Sequence, residues 1–156
     1  MTALEDLLDD YMFHSESDSD RDEKFEELMK AFLRVDEECT PAFDEVWSWD
    51  EWPAHQGPGD GIDLVARERD TGRVVAVRCR FHDPGTPVSA EELASFLAAS
   101  ENAPFSARIV IATTDSWDKE IEESTPEIPV RRIGLSTMLH STVDWTRLVP
   151  QPAAAG

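Results

Sequence analysis

The chain has 156 residues, 40% of them hydrophobic, which suits one domain with a real core. Its formal net charge is −19, and a field of that sign opposes general binding to phosphate backbones. Two readings of the acidity stay open: a solubilising surface, or one that mimics nucleic acid or docks on a basic protein partner.

"ALEDLLDDYMF" fits a short amphipathic helix, and "HSESDSDRD" reads as a mobile acidic linker that also contains helix caps. Phe25, Leu28, Met29, Phe32 and Leu33 follow at helical spacing, so a helix is expected from about Asp20 to Arg34. Val46, Trp47 and Trp49 suggest a short strand that ends in the loop around Pro53, Gly57, Pro58 and Gly59. "GIDLVARER" and "RVVAVRCRF" are the next two strands, joined by the turn "DTG". "VSAEELASFLAAS" is a helix opened by a Ser89/Glu92 capping box, with Leu93, Phe96 and Leu97 as its buried stripe. "ARIVIATT" has the continuous apolar character of a buried strand, parallel to a neighbour. "SWDKEIEES" suits a short helix, and "IPVRRIGLSTMLHS" an edge strand and then a short helix. "VPQPAAAG" carries no core residue and reads as a flexible tail or a linker to something further. The organisation expected is an acidic segment over 1–19, a folded domain over 20–147 and a tail over 148–156. The element order predicts an α/β fold, a mixed sheet with helices on both faces.

Cys39 and Cys79 form no CxxC pair, so a reducing compartment is expected, with Cys79 as a core residue. "MTALEDLLDDYMF" lacks the basic start and apolar run of a signal peptide, and no segment has the length of a membrane span. A cytoplasmic location without membrane contact is the expectation. His14, His55, His82 and His140 show no ligand spacing, and "GPGDGID" lacks the lysine of a phosphate-binding loop. Asp60 suits a turn, Ser136 and Thr137 suit helix caps, and Trp47, Trp49 and Trp52 suit core and rim packing.

The hairpin holds the unusual residues. Ile62, Leu64 and Ala66 are expected on one face of its first strand, with Asp63 and Val65 on the other. Val75, Val77, Cys79 and Phe81 share a face of the second strand, opposite Val74, Ala76, Arg78 and Arg80. Pairing Asp63 with Arg78 brings the three charged groups to one face. A slip of one residue would strand the acid beside Val77 and Cys79. One reading of such a polar set is a satisfied core network; another is a functional site.

Gly61-Ile62-Asp63-Leu64-Val65-Ala66 and Ala76-Val77-Arg78-Cys79-Arg80-Phe81 resemble the PD-(D/E)XK nucleases, and in particular the Mrr-like nuclease domains of restriction-type helicases and type ISP restriction–modification enzymes. "KFEELMKAFL", "VWSWDEWP", "SFLAAS", "IVIATTDSW" and "IPVRRIGLSTM" extend the resemblance, in the same order, from about Asp20 to Trp145. It implies a restriction-endonuclease-like three-layer α/β/α sandwich and metal-dependent hydrolysis of DNA, usually with magnesium. Carried over by position, Asp63 is the metal ligand and Glu26 an assisting acid. Arg78 stands at the Gln or Glu position and Arg80 at the Lys position. A guanidinium has no lone pair to offer a metal, and Arg80 cannot act as a base, though it can clamp phosphate. The resemblance therefore implies a centre impaired in catalysis, with an Asp63–Arg78 ion pair at the former metal position. It implies DNA as partner, delivered by a fused or separate helicase or methyltransferase module. Alternatives are a non-catalytic interaction module and an acidic DNA-mimic inhibitor; the crowding of acids into the N-terminal quarter argues against the mimic.

Overall fold

The computed structural model describes residues 3–36, 42–53, 61–82, 85–101, 105–117, 130–141, 143 and 145–148. His55, Asp60, Cys39, the "SWDKEIEES" helix beyond Trp117, and the tail after Leu148 lie outside them.

The elements run α1 (Ala3–His14), α2 (Asp18–Val35), β1 (Phe43–Ser48), a 3-10 turn (Trp49–Glu51), β2 (Leu64–Glu68), β3 (Val74–Arg80), α3 (Ala90–Ala99), β4 (Phe105–Ala112), β5 (Val130–Ile133), α4 (Leu135–Leu139) and α5 (Trp145–Leu148). The strands form one sheet in the order β1-β2-β3-β4-β5. β1, β2 and β3 pair antiparallel, while β3, β4 and β5 pair parallel. The β2–β3 hairpin closes through Gly72, whose φ of 73° lies in the left-handed region that glycine enters freely.

Two cores sandwich the sheet. Phe25, Leu28, Met29, Phe32 and Leu33 of α2 cover one face, formed by Leu64, Ala66, Val75, Val77, Cys79, Ile109 and Ile111. Leu93 and Phe96 of α3 cover the other, against Val65, Ala76, Val110 and Ala112. The result is the three-layer α/β/α arrangement around a mixed sheet. From Ile109 to Ala112 β4 is buried on both faces between two parallel neighbours, which is why that part of its sequence is a continuous apolar run.

Two expectations change. The linker is three residues, Ser15–Ser17, because Asp18–Asp20 already belong to α2. Ser17 caps that helix, its Oγ accepting from the Asp20 N–H at 3.1 Å, and the acids sit where the helix dipole favours them. Leu4 and Tyr11 of α1 are buried in the same core as α2. Ile62 packs in the α3-side core, not with Leu64 and Ala66. Strand alternation does not reach it, because β2 begins only at Leu64. No helix among the described residues is long and apolar enough to cross a membrane.

Candidate catalytic centre

The centre lies where the chain enters β2 beside the end of β3. Leu64 pairs with Val77, so Asp63 faces Arg78 across the strands, in the register expected from the polar pattern. Asp63 Oδ1 is 3.5 Å from Arg78 Nη1, and both side chains are largely buried. Asp63 Oδ2 accepts the Cys79 N–H at 2.8 Å. Arg78 Nη1 also donates to the Gly61 carbonyl at 3.1 Å, while its Nε is buried with no hydrogen-bond partner among the described residues. Gly61 permits this approach: its φ is 98°, and a Cβ there would lie 2.9 Å from the Phe96 nitrogen in α3. Gly61→Ala is expected to cost about 1–3 kcal/mol, from a left-handed backbone plus that contact. A thermal-unfolding change below about 0.5 kcal/mol would show that the loop relaxes instead.

α2 brings Glu26 to the same group. Burial, followed by the charge of Asp63 and a hydrogen bond with it, pushes the Glu26 carboxyl up to about 8. Glu26 is therefore protonated at neutral pH and shares its proton with Asp63. Burial also raises Asp63, opposed by Arg78, the Cys79 N–H, Glu26 and Arg80. The two acids and Arg78 thus form one compact network.

Arg80 goes elsewhere. Its Nε donates to Glu92 Oε1 at 2.8 Å, and His82 Nε2 lies 2.7 Å from the same oxygen. Glu92 Oε2 accepts the Ser89 N–H at 3.0 Å and the Ser89 hydroxyl at 3.1 Å, completing the capping box of α3. Burial alone would raise Glu92; the Ser89 N–H, His82 and Arg80 outweigh it and hold the carboxyl near about 2. Glu92 and His82 are neighbours of the centre that the sequence reading missed. The capping box uses one carboxylate oxygen, and the free second oxygen was the available signal.

These titrations have opposite signs. Glu26 keeps its proton in the folded chain to about pH 8, whereas an unfolded glutamate loses it near 4.5. Its stabilisation is complete below the unfolded value and is lost as pH rises through that window. Glu92 stabilises above 4.5, and its contribution is lost as pH falls toward about 2. Urea midpoints across this range should fall on both sides of a maximum near about pH 5. Glu26→Gln should flatten the alkaline limb and Glu92→Gln should lessen the acid one. An alkaline limb unchanged in Glu26→Gln would overturn the shared-proton reading.

A cavity of about 440 Å³ opens on the centre, with Glu23, Glu26, Glu27, Asp50, Asp63 and Trp49 in its wall. The other tryptophans pack: Trp52 is buried in the α3-side core, and the Arg67 guanidinium lies over Trp47 at 5.7 Å. His14 pairs with Asp10 on the surface of α1, and His140 ends α4.

Restriction-endonuclease-like domains generally depend on a divalent metal. The residues at this centre do not fit one as they stand. Asp63 is engaged through both oxygens, Glu26 carries a proton, and the neighbouring side chain is a guanidinium. Among the described residues, no three His, Cys, Asp or Glu side chains converge as metal ligands.

The fold is similar to that of MspJI restriction endonuclease, solved in complex with a 27-mer oligonucleotide: TM-score 0.54 and 19% identity, over 94% of this chain and 33% of that one. This chain spans about a third of that protein's length. No curated protein matches the sequence. The family model for restriction endonuclease matches residues 34–154, a segment that holds Asp63, Arg78 and Arg80 and leaves Glu26 outside. With most of its length matched and the sheet and helices of that fold in place, this chain belongs to the restriction endonuclease family.

Proposed function

We propose that the chain is a nuclease-fold domain of a DNA restriction system in which the metal position has been taken over by an arginine, so that hydrolysis of the phosphodiester bond is impaired. The observation that carries this reading is the Arg78 guanidinium, 3.5 Å from Asp63 and bonded to the Gly61 carbonyl, where the family resemblance calls for an oxygen ligand. A cation there repels magnesium as well as failing to ligate it. Arg80 keeps a positive charge near Asp63 but is tied to Glu92, so its use as a phosphate clamp requires it to leave that carboxylate.

DNA is the partner this reading implies. Glu23, Glu27 and Asp50 surround the mouth of the cavity, and the chain as a whole carries −19, so the domain holds DNA poorly by itself. A helicase or methyltransferase module, fused or separate, delivers the DNA, and the domain works in the cytoplasm. The acidic mouth also supports a second reading, a non-catalytic module that docks on a basic protein of the same system. Calorimetry with magnesium and with manganese tests the first reading. No binding by the native chain is expected, and tight binding that Asp63→Ala abolishes would sink it.

A further inference from the structure

Glu92 Oε1 is shared by two donors from the end of β3. Arg80 Nε donates to it at 2.8 Å, and His82 Nε2 lies 2.7 Å away. The cap of α3 needs neither, because Glu92 Oε2 alone takes the Ser89 N–H and the Ser89 hydroxyl. Glu92 is ionised and can only accept, so His82 Nε2 carries a proton whatever the charge of the ring.

Both donors are placed to meet an anion. His82 is fixed through its backbone: its N–H donates to Thr113 Oγ1 at 2.7 Å, and its carbonyl accepts the hydroxyl of that buried threonine. Arg80 is held through Nε, and its two terminal nitrogens make no hydrogen bond among the described residues. Its side chain is 29% exposed, so the group is in reach of solvent. Its charge also reaches Asp63, opposing the rise of that carboxyl, which sets the group beside the centre. A guanidinium and an imidazole N–H that converge on one oxygen are a donor set for a phosphate oxygen.

We propose that Glu92 is a built-in phosphate mimic. Its carboxylate occupies an anion site formed by Arg80 and His82, and a phosphate group must displace it to bind. The contact is autoinhibitory, because the carboxylate cancels the positive charge and repels a second anion until the side chain swings out. Swinging out also gives up the Ser89 bonds, so the masked form dominates. DNA as the source of the phosphate rests on the nuclease-domain reading; the site then holds a backbone phosphate next to the centre.

Glu92→Gln tests the mimic. The glutamine keeps its one oxygen for the Ser89 N–H, so its amide nitrogen faces Arg80 and His82, donor against donor, and frees both. The full chain is titrated with inorganic phosphate by NMR, in a chelator and with ionic strength held by chloride. Glu92→Gln should bind at least about 10-fold more tightly than the native chain, the gain expected when a site open about a tenth of the time is held open. The Arg80 Nε–H resonance should shift as phosphate binds. Glu91→Gln removes the same charge from an exposed neighbour on α3 and should change the affinity by less than about twofold. Adding Arg80→Gln and His82→Gln to Glu92→Gln should remove the gain. If Glu92→Gln does not fold, Glu92→Asp, which draws the carboxylate back by a methylene, should gain about threefold. No gain beyond that of Glu91→Gln, or a gain that survives the loss of Arg80 and His82, would overturn the proposal. Fluorescence anisotropy with a short DNA duplex separates it from the nuclease reading. A gain for phosphate without one for the duplex would leave the masked site standing and remove DNA as its occupant.

Discussion

Arg78→Gln combined with Arg80→Lys is expected to produce plasmid cleavage with magnesium or manganese at least about 100-fold above the native chain. The first change removes the cation beside Asp63 and returns an oxygen that can face a metal. The second replaces the planar fork that grips Glu92 with a single mobile ammonium, which can leave that carboxylate for a phosphate. Each change alone should give little, since one restores the site for the metal and the other the charge at the phosphate. Asp63→Ala in the double variant should abolish cleavage. Vigorous cutting by the native chain that Asp63→Ala removes would mean instead that the arginines are tolerated. The domain would then be a working nuclease.

Asp63→Leu is expected to destabilise the fold by about 3 kcal/mol, which is roughly 6–12 °C in Tm for a chain of this size. The loss comes less from the missing contact than from what stays behind. Arg78 would keep a full charge in a largely buried position, with its Nε already without a hydrogen-bond partner among the described residues. Adding Arg78→Met should recover most of the loss, because removing both charges leaves no uncompensated ion. The double-mutant cycle separates this from simple packing damage: the two substitutions should couple by at least about 1 kcal/mol. Costs that add without coupling would mean that the ion pair does not hold the centre together.

What the sequence disclosed and what it withheld divide along physical lines. The pairing of Asp63 with Arg78 was legible because strand alternation leaves one register in which both charges are compensated. The Ser89/Glu92 capping box and the buried character of β4 were legible because each is local in sequence. The path of Arg80 was not, because a long arginine chooses its partner after α3 has packed, and that partner already served as a cap. The length of the linker was misread because acids that suit a mobile segment also suit the first turn of a helix. The proton shared between Glu26 and Asp63 depends on how deeply α2 buries them, which no local pattern reports. Residue types at the centre were therefore visible, while their protonation and their partners required the assembled layers.

The switch from antiparallel to parallel pairing at β3 has a consequence for the order of folding. β2 and β3 are joined by the five residues 69–73, whereas β1 lies fifteen residues before β2 and β4 must wait for the crossover through α3. Closing a short loop loses less chain entropy, so the β2–β3 hairpin should form ahead of the parallel half. Asp63 and Arg78 both lie in it, and their attraction acts on a hairpin that still has an open edge. The pair can then set the alignment against which β4 is later laid, so that losing it would slow folding as well as lower stability.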